Sequence, residues 1–187
     1  MTLDQLESEC SRCAKCELCH SRTNTVFGVG KKDADIMLIG EAPGENEDIM
    51  GQPFVGRSGK LLDQLLEEVG LSRSKNVYIA NMCKCRPPKN RDPKPAETAQ
   101  CLEWLNRQFQ IIDPKIIVCV GRISAQKLIS PSFKVTRQHG EFIEKEGRLI
   151  TATYHPAAIL RNINNKPMAL ADWQAICKKA RELGIEL

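Results

Sequence analysis

Short apolar runs alternate with longer amphipathic stretches along this chain, and that alternation limits the fold more than any other feature. It is the pattern of parallel strands joined by crossover helices. The predicted strands are Asp35–Ile39, Asn76–Ala80, Lys115–Val120 and Leu149–Thr153, with Glu141–Lys145 pairing onto the last across the Glu146–Gly147 turn. Helices fill the gaps. Ser58–Val69 repeats leucines at 61, 62, 65 and 66 and stops at Gly70. Pro95–Gln110 opens with proline and carries Leu102, Leu105 and Phe109 on one face, and Ala169–Leu183 is closed by Gly184. The expectation is an α/β fold, a three-layer α/β/α sandwich around a central, mainly parallel, four-stranded sheet. With 187 residues and no internal repeat, it is expected to form a single domain over residues 1–187.

Ligands of open parallel sheets bind beyond the carboxyl ends of the strands. Four loops begin there, with Gly40-Glu41-Ala42-Pro43-Gly44, with Asn81, with Gly121-Arg122 and with Tyr154-His155-Pro156. Glycines, a carboxylate, an amide and an imidazole would gather at one edge. The apolar stretches, such as Ile116–Val120, fall far short of the roughly 20 residues of a membrane span, and no leader pattern opens the chain. A cytoplasmic protein is expected, with no membrane role. A formal charge of +4 favours an anionic partner without selecting one.

Nine cysteines in a reducing compartment read as metal ligands and buried thiols rather than disulfides. The spacing Cys10-x2-Cys13-x2-Cys16-x2-Cys19 resembles the opening of a ferredoxin-type run, though that pattern closes on C-x3-C-P. A dispersed set of Cys13, Cys16, Cys85 and Cys101 competes with it, and four thiolates suit zinc as well as an iron–sulfur cluster. Cys119 and Cys177 suit buried positions in a strand and a helix.

Gly40-Glu41-Ala42-Pro43-Gly44-Glu45-Asn46-Glu47-Asp48, followed by Gly51-Gln52-Pro53-Phe54-Val55-Gly56, resembles the first motif of the family 4 uracil-DNA glycosylases. Arg22-Thr23 with Val26-Phe27-Gly28, then Asn81, Lys84-Cys85-Arg86-Pro87-Pro88 with Asn90-Arg91, and His155-Pro156-Ala157-Ala158 with Leu160-Arg161 follow in that family's order. The resemblance runs from Cys13 to about Asn162. It implies a monofunctional uracil-DNA glycosylase, expected to act as a monomer on uracil-containing DNA, that flips uracil out and hydrolyses its N-glycosidic bond. It also implies a 4Fe-4S cluster on Cys13, Cys16, Cys85 and Cys101, leaving Cys10, Cys19 and Cys83 outside the ligand set.

The same resemblance assigns roles. Phe54 would stack on the flipped pyrimidine. Asn81 would accept from uracil N3–H and donate to O4, the reverse of what cytosine presents. His155 would donate to O2, where negative charge builds as the bond breaks. Gly40, Glu41 and Ala42 would complete the base pocket. An aspartate stands at the Ala42 position in the best-known uracil glycosylases, and alanine cannot orient water. Glu41, through a water held with Asn90, is therefore expected to position the nucleophile, and Glu47 to border the C5 side of the base. Arg57, Ser58 and Lys60 open a helix suited to phosphate. Lys84, Arg86, Lys89 and Arg91 are expected to form a basic loop, with Asn90 and Arg161 also facing DNA and an apolar wedge within Ala158–Arg161. The alternative is a ferredoxin-like electron carrier or redox sensor built on the N-terminal run.

Overall fold

Runs such as Ile36–Gly40 and Ile116–Val120 can be buried at every position only inside a sheet covered on both faces, and that is where the computed structural model, which describes residues 1–187, puts them. Six strands are present: β1 (Val29–Gly30), β2 (Ile36–Gly40), β3 (Val77–Asn81), β4 (Ile116–Val120), β5 (Ile143–Lys145) and β6 (Arg148–Thr153). Their order is β1-β3-β2-β4-β6-β5. The inner four are parallel, while β1 and β5 pair antiparallel at the edges. The expected four-stranded sheet is thus the parallel centre of a six-stranded one. Two residues of β1 are too few to show a period, and the predicted Glu141–Lys145 strand shortens to β5, which turns into β6 through the positive φ angles of Glu146 and Gly147.

The helices are α1 (Leu3–Ser11), α2 (Glu45–Met50), α3 (Arg57–Glu68), α4 (Pro95–Ile112), α5 (Arg122–Leu128), α6 (Val135–Gln138), α7 (Pro156–Arg161) and α8 (Lys166–Glu182). They pack in two groups, α1 with α4, and α3 with α7 and α8. The chain steps from β2 to β3 in one direction and from β3 across to β4 in the other, so right-handed crossovers put α3 and α4 on opposite faces. One apolar cluster of 42 buried residues joins α1 to the chain's last turn at Ile185. Each fully buried Leu, Ile or Val within it contributes roughly 1.5–3 kcal/mol over its exposed state. No helix is long and apolar enough to cross a membrane. The reversal of direction at β2 opens a crevice beyond Gly40.

Candidate active site

A cavity of about 810 Å³ lies in that crevice. Glu41, Ala42 and Glu47 line it from the β2 loop and α2, Phe54, Arg57 and Ser58 from the start of α3, and Asn81, Asn90, His155 and Arg161 from the remaining loops. Gly40 lies beneath, where a Cβ would sit 2.3 Å from Asn81 Oδ1 and 2.7 Å from Phe54 Cζ. Only glycine lets the amide and the ring close together at the end of β2.

Asn81 is 2% exposed; it pairs with Gly40 in the sheet and its main-chain oxygen accepts from Lys84 Nζ at 2.8 Å, but no hydrogen bond within the protein reaches its side chain. Its carboxamide is left to a ligand. The Phe54 and His155 rings are 5.7 Å apart and tilted by 35°. His155 caps α7, its Nδ1 accepting from the Ala157 amide at 3.0 Å. That bond assigns the proton of the neutral ring to Nε2. Burial pushes the imidazole down to about 4; Arg161 adds to the shift and Glu47 opposes it. At neutral pH the ring is an uncharged donor.

The two candidate carboxylates differ. Burial pushes Glu41 up to about 7, with Asp92 reinforcing and Arg122 opposing, and no hydrogen bond holds its side chain. Glu47 is occupied: its Oε1 accepts from the amides of Val55 and Gly56 at 3.0 and 2.9 Å. These bonds follow directly on Phe54, whose φ of 52° costs a bulky residue about 1–3 kcal/mol.

The expected basic loop is largely spent inside the protein. Lys84 is 1% exposed, its ammonium held by Asn81 O and by Gln108 Oε1 at 2.6 Å. Arg91 clasps Glu97 at 2.7 and 2.9 Å, and Arg86 donates to Asn90 Oδ1 at 2.7 Å and faces Glu45 at 3.5 Å. Lys89 is exposed. Lys60 is exposed too, but it and Arg86 lie off the cavity wall, whereas Arg57 and Ser58 bring the uncapped N-terminus of α3 to it. In the Ala158–Arg161 stretch Ile159 is fully buried and Leu160 is exposed, so Leu160 is the free apolar side chain.

The cysteines form a separate centre. Cys13 Sγ accepts from Trp104 Nε1 at 3.3 Å, Cys85 Sγ from Arg22 Nη1 at 3.1 Å, and Cys101 Sγ from the Lys84 amide at 3.1 Å. Burial pushes the Cys16 thiol up; the Leu18 amide opposes this, and Cys101 and Cys13 reinforce it. Cys10 is buried on α1, which pushes its thiol up, with Cys101, Cys13 and Cys85 near enough to reinforce the rise, and Cys83 is buried beside Thr98. No three histidine, cysteine or carboxylate side chains converge as for one metal ion. Asp48 joins this centre to the cavity: its carboxylate accepts from the Thr23 and Asn24 amides, next to Arg22, and it lies on α2 beside Glu47. Nothing in the sequence singles out Asp48 for this structural link, since it is one of several acids in a polar segment.

A parallel sheet with a cavity at its point of reversal, carrying a neutral imidazole donor and an unengaged amide, has a counterpart among known proteins. The sequence profile of the uracil DNA glycosylase superfamily matches residues 27–177. The chain belongs to that superfamily. The type-4 uracil-DNA glycosylase of Archaeoglobus fulgidus is 43% identical over 97% of this chain and 93% of its own length. The type-4 enzyme of Sulfurisphaera tokodaii is 45% identical over 98% of this chain and 86% of its own, and that of Saccharolobus solfataricus 46% over 86% and 78%. These relatives set the chain beside the type-4 enzymes.

Proposed function

We propose that this protein removes uracil from DNA by hydrolysing the N-glycosidic bond, leaving an abasic site for base excision repair. The observation that carries this reading is the His155 ring, whose Nδ1 is tied to the Ala157 amide so that a neutral Nε2–H faces the cavity shared with Phe54 and Asn81. As the bond breaks, charge moves onto uracil O2, and a fixed donor there lowers the barrier without reorganising at the moment of reaction. A neutral ring does so without repelling the cationic sugar. Phe54 stacks on the base, the Asn81 carboxamide selects uracil over cytosine, and the Gly40–Ala42 backbone closes the pocket. Glu41, unbonded and with its affinity for protons near neutrality, orients the attacking water. Glu47, bonded to the loop after Phe54, organises the stacking platform. Arg57, Ser58 and the α3 amides take a phosphate, Arg161 another, and Leu160 fills the gap left by the flipped base.

Cys13, Cys16, Cys85 and Cys101 are proposed to hold a 4Fe-4S cluster. Three of the thiols already receive N–H donors, as thiolates require, and buried Lys84 has only neutral hydrogen-bond partners, so negative charge at the cysteines would compensate it. When bound, such a group supplies a covalent tie between the N-terminal segment, the loop after β3 and α4. The reading is tested by base release from an oligonucleotide with one uracil, scored as alkali-sensitive cleavage, on wild type and His155→Ala. Release by the wild type and its loss in the variant support it; wild type without release, or an unaffected variant, overturns it.

A further inference from the structure

We infer that Arg73, outside the cavity, is a positioning residue that holds Phe54 in its stacking conformation. The inference rests on the proposed role of Phe54 as the platform for the base. Arg73 sits in the loop after α3 and does not line the cavity. Its guanidinium donates through Nη1 to Pro53 O at 2.8 Å and through Nη2 to Phe54 O at 2.7 Å. On its other side Nε and Nη2 meet Asp63 Oδ1 of α3 at 2.9 and 2.8 Å, which fixes the plane of the fork. From the opposite side Glu47 takes the next two amides, those of Val55 and Gly56. Three consecutive peptide groups around Phe54 are therefore held, two carbonyls by a cation and two amides by an anion.

The hold is needed because Phe54 sits at a φ of 52°, which an aromatic residue leaves when free to do so. Backbone strain of this kind persists only where the surroundings over-determine it. Gly59 completes the seat: a Cβ there would stand 1.9 Å from Phe54 O, so α3 presses directly on the carbonyl that Arg73 binds. Were Arg73 simply a surface ion pair for Asp63, one carboxylate contact would serve. It spends two donors on consecutive carbonyls instead, and a lysine, as a point charge, cannot span them together with the carboxylate.

The test compares wild type, Arg73→Met, Phe54→Ala and the double variant in single-turnover base release on uracil DNA at saturating enzyme, alongside binding of DNA with an abasic-site analogue. Arg73→Met should slow release on the order of 10- to 100-fold, the scale of a small misplacement of a reacting partner, with binding of the abasic DNA unchanged. Because Arg73 acts through Phe54, the double variant should be no slower than Phe54→Ala alone. Multiplying losses in the double variant, or a wild-type rate in Arg73→Met, overturn the inference while the stacking reading stands. A wild-type rate in Phe54→Ala overturns the stacking reading and the inference with it. Should Arg73→Met fail to fold, Arg73→Lys, which keeps the charge but loses the fork, carries the same comparison.

Discussion

The cavity is built from loops at strand ends and the cysteine centre from the segment after α1, the loop after β3 and α4, and the two treat their polar groups in opposite ways. Around the cavity the Asn81 carboxamide, the Glu41 carboxylate and His155 Nε2–H have no partner within the protein. At the cysteines Trp104, Arg22 and the Lys84 amide all point at sulfur, and Lys84 and Gln108 complete each other's bonds. A reactive site keeps hydrogen-bonding capacity unspent for a substrate that arrives and leaves. A structural site fills it, because an unpaired buried group costs about 1–3 kcal/mol for as long as the protein exists.

The sharpest attempt to break this contrast is His155→Ala. It should lower single-turnover release by roughly 100- to 1000-fold, the usual loss of one well-placed donor. The visible absorbance of the purified protein should be that of wild type, and the thermal midpoint lowered by no more than the loss of the α7 cap, about 0.5–2 kcal/mol. A large drop in stability would mean that the cavity is also structural. Arg22→Met probes the other region. Loss of an outer-shell partner typically weakens retention of a metal group by about 10- to 100-fold, so iron and visible absorbance should be lost to a chelator sooner. The release rate per cluster-loaded molecule should change little. If it fell as far as in His155→Ala with the cluster still in place, the two regions would be one functional unit, joined through Thr23, Asn24 and Asp48.

What was legible in the sequence follows the same division. The four parallel strands stood out to within a residue because burial on both faces forces uninterrupted apolar runs, as in Ile36–Gly40 and Ile116–Val120. The edge strand β1 and the six-residue α2 had no such compulsion, and both were missed. Lys84 read as a surface cation because lysine usually is one; only the fold reveals Gln108, 24 residues further on, waiting for its ammonium. Arg73 carried no signal at all, since its partners are two carbonyls 20 and 19 residues earlier, and a main-chain oxygen leaves no trace in side-chain spacing.

The smallest and most discriminating effect concerns Glu41. Its folded-state affinity for a proton is raised from 4.5 to about 7 by burial, so its contribution to stability is fully present below 4.5 and is lost as pH rises through about 7. His155 runs the other way: lowered from 6.5 to about 4, it favours the fold above 6.5, and that advantage is lost as pH falls towards 4. The proposed mechanism needs both groups deprotonated. Release by wild type should therefore climb as pH rises through about 7, where Glu41 ionises, with His155 already neutral across that range. Glu41→Gln should flatten the climb and, with no charge to bury, raise the thermal midpoint relative to wild type at about pH 8 but not at about pH 4. A Glu41→Gln profile that still rises through neutrality would move the water-positioning role to another group, and an unchanged midpoint at alkaline pH would mean that Glu41 ionises there at no cost to the fold.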